Sequence, residues 1–380
     1  MVYDTIIVGV GGMGSAAAWH LARRGQRVLG LERFDIPHAM GSSHGITRII
    51  RLPYYEHPSY VPLLHRAYEL WREAEVASGQ RLLFTTGSID AGPEDDELFQ
   101  GALLSARMHE LEHEVLTGGA VNARFPGYRL PPGHRAVFQP AGGFVTSERA
   151  IIAHAGLAMA AGARLQARER VLHWQARDGG EGVRVTTDKG SYEGQRLVLT
   201  AGAWMADLAP VLAGRAVAER QVLAWLQPQR PELFTPTRFP VFNLQVEEGR
   251  YYGLPIHEVP GFKFGRYHHR GETLAADAMR PEVDAADERL LRDFAQRYFP
   301  EGCGPTMALR ACMFTNTADE HFILDQHPRH PQVVLASPCS GHGFKFCSVI
   351  GEIIADLASD ARATRHDTGL FQLERALTMR

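Results

Sequence analysis

Six residues near the N-terminus, Gly9-Val10-Gly11-Gly12-Met13-Gly14, restrict the fold of this chain more than any other feature. They match G-x-G-x-x-G and stand between Tyr3–Val8, an apolar β-branched run, and Ser15–Arg24, an alanine-rich run that reads as a helix. A second strand pattern, Gln26–Leu31, ends at Glu32. Strand, glycine turn, helix and strand in that order make a βαβ unit, which requires a parallel sheet covered on both faces. The first glycine allows the bend, the second lets backbone approach a pyrophosphate, and the third lets helix and strand pack closely. The helix N-terminus adds unpaired N–H groups and a positive dipole end. Glu32 stands where an acid binds the hydroxyls of an adenosine ribose and disfavours a 2′-phosphate, a preference that the adjacent Arg33 softens. Between FAD and NAD this motif does not choose.

Further along, Gln195–Thr200 is another buried-strand run and leads into Ala201-Gly202-Ala203-Trp204. Val333–Ala336 is a further one, followed by the turn Ser340-Gly341-His342-Gly343. Beyond it Phe346, Val349, Ile350, Ile353, Ile354 and Leu357 recur at amphipathic-helix spacing. Tyr251–Tyr252 and Phe262–Phe264 alternate around a Pro/Gly turn and predict an antiparallel hairpin. The fold class that follows is α/β (α+β mixed), a discontinuous Rossmann-type domain interleaved with a mainly antiparallel second domain. Forty basic and forty-three acidic side chains leave a net charge of −3 over 380 residues, which argues against a nucleic-acid partner. The N-terminus lacks the n-region of a signal peptide, and Leu197–Gly214, the least charged long stretch, carries Asp207 and Pro210, so neither export nor a membrane span is expected. The expected compartment is the cytoplasm. Cys303, Cys312, Cys339 and Cys347 crowd toward the C-terminus without C-x-x-C spacing and suit neither a disulfide framework nor a metal site.

Six segments, in order, carry a wider resemblance. They are the opening loop, His44-Gly45-Ile46-Thr47-Arg48-Ile49-Ile50-Arg51, Tyr251-Tyr252-Gly253, Cys312-Met313-Phe314-Thr315, Asp319-Glu320-His321-Phe322-Ile323 and Ser340-Gly341-His342-Gly343-Phe344-Lys345-Phe346. Together they resemble the monomeric sarcosine oxidase and N-methyltryptophan oxidase family over almost the whole chain. The resemblance implies an FAD-dependent amine oxidase, a monomer, that takes a secondary amine and O₂ and releases H₂O₂. It implies an FAD-binding domain from residues 1–84, 144–217 and 314–368, a substrate domain from 85–143 and 218–313, and a tail over 369–380. Cys312 matches the cysteine that carries the flavin as an 8α-S-cysteinyl thioether, which calls for a flavin-facing thiol of depressed pKa. Gly341, Gly343, Phe344 and Lys345 match a turn whose N–H groups face the flavin pyrimidine. Val171 and Ala201–Trp204 resemble segments along the adenine and pyrophosphate.

On the substrate side, Arg51 and Lys345 match the family's carboxylate-binding pair, Arg51 offering a bidentate fork. Thr47 and Arg48 match positions against the flavin ring. Lys263, on the opposite face from Phe262 and Phe264, matches the lysine that activates oxygen. His268 resembles an active-site histidine, although Gly265-Arg266-Tyr267-His268-His269 runs one residue longer than the family pattern and leaves His269 as an alternative. Tyr252 matches a pocket tyrosine. Phe314, Leu254 and Asn243 depart from the sarcosine oxidase pattern, where a tyrosine, a phenylalanine and an apolar residue stand. The implied substrate is sarcosine or a related N-methyl or secondary amino acid, with a cyclic imino acid such as pipecolate or proline as the alternative. The rival readings are an NAD-dependent dehydrogenase, a flavin-dependent RNA-nucleoside modifier and a non-catalytic flavin-binding protein.

Overall fold

The computed structural model describes residues 2–177, 182–337, 340–359 and 364–378. Val2–Val8 is the central strand of the first sheet, parallel to Val28–Leu31 on one side and to Ser191–Leu199 on the other. Ser191–Leu199 then forks. Its first half pairs antiparallel with Val183–Thr187, and Leu197–Leu199 pairs parallel with His330–Ser337. Both faces of this sheet are covered, which explains the unbroken apolar runs. Ile7, Val28, Val198 and Val334 face the helices Gly12–Ala22, Tyr60–Ser78, Ser147–Ala160 and Cys347–Ser359, while Ile6, Leu29, Leu197 and Val333 face the other way. The first helix starts at Gly12 and ends at Ala22. It begins earlier than the alanine run because the last glycines of the turn already belong to its first turn.

The second sheet has eight strands in the order Thr306–Asn316, Val217–Leu226, Phe262–Arg266, Gly249–Leu254, Val241–Val246, Ser88–Pro93, His134–Gln139, Glu114–Thr117. Every neighbouring pair is antiparallel except Val241–Val246 with Ser88–Pro93. Helix Ala285–Tyr298 packs on one face through Phe294, which meets Phe242, Phe264 and Phe299, and its ring lies flat on Tyr251 at 3.7 Å. Strand alternation puts Phe262 and Phe264 in that aromatic core and sends Lys263 to the opposite face, under the Trp225 ring. A small third sheet joins Thr47–Ile50, Gly143–Thr146 and Leu83–Thr85.

Residues 369–378 are packed against the body of the protein. Phe371 packs on Tyr60 and Phe322, Arg375 pairs with Asp319, and Leu373 and Ala376 are buried. Burial of these apolar groups holds the short C-terminal helix down, a contribution that local composition conceals.

Candidate active site

One elongated cavity runs from the glycine turn, along the interface of the two large sheets, to the strand that carries Cys312. At its first end the three glycines have separate steric reasons. Gly9 sits at φ +92°, and a Cβ there would meet the Thr200 carbonyl oxygen at 2.6 Å. At Gly14 a Cβ would come 1.9 Å from the Gly9 oxygen, so only glycine lets the helix close on the turn. At Gly11 a Cβ would meet nothing within 4 Å, because this position faces the cavity. That open cradle at a helix N-terminus suits a pyrophosphate. Glu32 accepts from the Val10 and Phe34 N–H groups at 2.9 Å each, and its oxygens keep further acceptor capacity. Arg33 is held by Asp277 at 2.6 Å, beside Val171 and Trp204 on the cavity wall.

At the far end, Cys312 lines the cavity, buried beside Leu223 and Trp225. Burial raises its thiol pKa, and the nearby cations Arg48 and Lys263 only partly offset this. The depressed thiol expected from the sequence is therefore absent: desolvation outweighs the cations. Gly341, at φ +76°, lies against Phe314, whose ring a Cβ would strike at 2.5 Å. Gly343, Phe344 and Lys345 continue this wall, and a 3₁₀ turn over Phe344–Phe346 leads into the Cys347–Ser359 helix. Cys303 and Cys347 are buried away from the cavity wall, and Cys339 lies outside the described residues.

The loop ahead of Arg51 is tied down by polar groups. Glu148 accepts from the Gly45 and Ile46 N–H groups at 2.6 and 2.9 Å. Arg48 donates to the carbonyls of Ser42, His44 and Thr47. Lys263 sits behind the Thr47–Arg48 wall and donates to Gly45 O, Thr47 O and Thr47 Oγ1 at 2.7, 2.6 and 3.2 Å. Among the described residues no carboxylate bonds to it, and burial, aided by Arg48, drives its pKa well below the ordinary lysine value.

Arg51 differs from its sequence reading. Only 1% exposed, it meets Glu56 at 3.0 Å, Asp90 at 3.2 Å and the Pro53 carbonyl at 3.1 Å. The fork expected for a substrate carboxylate is turned to protein acids, because a guanidinium this deeply buried requires paired charge. Glu56, despite burial, is held at about 2 by Arg51, His342 and Lys345. Lys345 donates to His342 O at 2.8 Å and lies 3.3 Å from the Tyr54 hydroxyl, leaving it donor capacity on the cavity side. Burial, reinforced by Arg51, lowers its pKa to about 7.

Neither histidine is among the described residues that line the cavity. His268 is clamped between Glu219 and Glu320 at 2.8 and 2.7 Å, which raises its pKa to about 9, and His269 is buried against Asp287. Tyr267 enters instead, packed on Tyr252 and Phe314. Two-residue alternation from Lys263 leads through Gly265 to Tyr267, so the signal was present as strand phase rather than residue type. Gly265 pairs with Tyr252 across the hairpin, and a Cβ there would strike the Tyr252 hydroxyl at 2.6 Å.

A glycine cradle at one end and a cysteine, two cations and an aromatic wall at the other suit a long dinucleotide with its reactive ring beside Cys312. The family model of FAD-dependent oxidoreductases (DAO) matches residues 4–357. The chain belongs to that family. Within the FAD-dependent oxidoreductases, it is 38% identical over 378 residues to a monomeric sarcosine oxidase of Bacillus sp. (strain NS-129), covering 98% of this chain and 97% of the relative. It is 35% identical to an N-methyl-L-tryptophan oxidase of Salmonella dublin, covering 99% of both chains. Among solved structures, NikD, an unusual amino acid oxidase essential for nikkomycin biosynthesis, superposes with a TM-score of 0.85 at 26% identity, over 98% of this chain and 97% of NikD. Glycine oxidase from Geobacillus kaustophilus has the same fold, with a TM-score of 0.81 at 20% identity, over 98% of both chains. The family assignment excludes the NAD-dependent dehydrogenase reading. No helix among the described residues is long and apolar enough to cross a membrane.

Proposed function

We propose that this FAD-dependent oxidase acts in the cytoplasm, as a monomer, on sarcosine or a related N-methyl or secondary amino acid. The observation that carries the reading is one cavity that joins the glycine cradle to Cys312, Lys345 and the Tyr252–Tyr267–Phe314 wall. Relatives named sarcosine and N-methyltryptophan oxidases, matched end to end, support it. The balanced reaction is R–NH–CH₃ + O₂ + H₂O → R–NH₂ + HCHO + H₂O₂. When bound, FAD would accept the two electrons of the C–H bond beside the amine nitrogen and pass them to O₂.

Gly9, Gly11 and Gly14 shape the pyrophosphate cradle, with Glu32, Arg33 and Val171 toward the ribose and adenine. Thr47, Gly341, Gly343, Phe344 and Lys345 border the ring end, and Cys312 is the covalent tether. Lys345 donates to the substrate carboxylate, and Arg51 adds positive potential from behind its acidic partners. Tyr252, Tyr267 and Phe314 exclude water and orient the amine, which binds with a neutral nitrogen. Arg48 keeps positive charge at the ring edge. Lys263 stabilises negative charge developing on oxygen, for which a cation suffices without proton transfer.

Purified enzyme given sarcosine and other N-methyl amino acids should yield formaldehyde and peroxide in equal amounts. Acid precipitation should leave the yellow colour in the pellet, whereas Cys312→Ser should release it. Peroxide without formaldehyde would contradict the N-demethylating reading, and colour that washes from the native pellet would contradict the tether.

A further inference from the structure

Asn243, one of the departures from the sarcosine oxidase pattern, stands opposite Asp90 on adjacent parallel strands. Its Nδ2 donates to Asp90 Oδ1 at 2.7 Å. Asp90 is fully buried and its Oδ1 is also the atom 3.2 Å from Arg51 Nε. An ionised carboxylate only accepts hydrogen bonds, so this contact dictates which way the amide faces. The NH₂ group turns to Asp90, and Oδ1 turns away from it. Asn243 lines the cavity, and on its other side it pairs with Tyr252, itself a cavity residue. Among the described residues no group donates to Asn243 Oδ1, although the residue is only 3% exposed. This oxygen is not walled off from the cavity, so a donor there, water or a substrate group, can pair with it.

We propose that Asn243 Oδ1 is a specificity determinant, accepting a hydrogen bond from a neutral donor on the substrate's side chain, with a hydroxyl the smallest group that serves. Asp90 is the positioning residue that holds the amide in that orientation. The inference rests on the reading of the cavity as a site for secondary amino acids. A cationic side chain is disfavoured by Arg51 and Lys345, which leaves neutral donors. Two buried polar residues side by side on the cavity wall also suit discrimination, because a site built to pair a donor rejects the analogue that lacks it.

The test compares N-methylthreonine with N-methylvaline, which differ by a hydroxyl in place of a methyl. The native enzyme should favour the hydroxylated compound in kcat/KM by about tenfold, the scale of one hydrogen bond in a closed pocket. Asn243→Leu should bring that ratio to about one. Asp90→Asn frees the amide to turn either way, so the kcat/KM ratio of N-methylthreonine to N-methylvaline should fall toward one, chiefly through KM. Should Asn243→Leu fail to fold with Asp90 left unpaired, the double variant Asp90→Val/Asn243→Leu removes both polar partners and is read in the same way. Binding gives a second readout: 3-hydroxybutanoate should perturb the flavin spectrum at lower concentration than 3-methylbutanoate, and only with Asn243 in place. Equal oxidation of both amino acids by the native enzyme, or a preference that survives Asn243→Leu, overturns the proposal alone. If sarcosine bleaches the flavin anaerobically but neither of this pair does, the proposal alone is overturned; if no N-methyl amino acid bleaches it, the secondary-amine reading falls and this inference falls with it.

Discussion

The two ends of the cavity are built on different principles. The pyrophosphate end is made of backbone: Gly9, Gly11 and Gly14 act by what they lack and stand within six consecutive residues. The substrate end is made of side chains from six separate strands and loops, in which Arg51 meets Glu56 and Asp90, Asp90 meets Asn243, and Tyr267 meets Tyr252. Backbone recognition tolerates little change and repeats across many proteins. A side-chain constellation can be rebuilt one residue at a time.

Perturbing each end should therefore fail in a different way. The largest effect belongs to the backbone end: Gly14→Ala places a Cβ 1.9 Å from the Gly9 oxygen and should abolish flavin incorporation outright, read as protein that purifies colourless. Full flavin content in that variant would break the contrast. Next is Lys263→Met, which should slow reoxidation by O₂ by roughly 10²–10³-fold, the range seen when one electrostatic stabiliser is removed. Stopped-flow reduction under anaerobic conditions should change far less, and equal losses in both half-reactions would assign Lys263 a structural role.

A smaller effect is expected at Lys345. Lys345→Gln should raise KM for a carboxylate substrate by about 10–100-fold, the cost of one charged hydrogen bond. In the native enzyme the same lysine imposes a pH dependence. With its pKa lowered to about 7 by burial, it is charged below that pH and loses its charge above it. Carboxylate binding favours the charged form, so the dissociation constant of an unreactive carboxylate should be flat below pH 7 and rise by up to about tenfold per pH unit above it. Catalytic turnover should move the opposite way with pH, because the substrate nitrogen must be neutral. A carboxylate affinity independent of pH would show that Lys345 does not bind the anion.

The same contrast decides what could be read from the sequence. The βαβ opening, the interleaved second sheet and the hairpin with Lys263 on its own face all follow from local periodicity, and the structure contains each of them. Cys312, Thr47, Arg48, Tyr252 and Lys345 do line one cavity. The errors share one physical origin. His268 has suitable chemistry, yet it lies in the turn beyond the Phe262–Arg266 strand, at φ +58°, where it pairs with Glu219 and Glu320, and Tyr267 takes the place in the pocket. Arg51 was read without Asp90, because nothing near Ser88–Pro93 in sequence announces that its aspartate faces a guanidinium. The low thiol pKa expected of Cys312 is opposed by the burial of that side chain, which only the pairing of distant strands brings about. Pairing between distant strands and the desolvation that accompanies it are invisible to local pattern.

The claim that joins the two ends is that one cavity brings a secondary amino acid to the flavin ring. Anaerobic titration of the purified holoenzyme with N-methyl amino acids, and in parallel with pipecolate and proline, tests it most directly. An N-methyl amino acid should bleach the flavin at one equivalent, and admitting air should restore the colour with release of H₂O₂. A flavin that stays oxidised with every N-methyl compound would contradict the account, and bleaching confined to the cyclic imino acids would reassign the substrate.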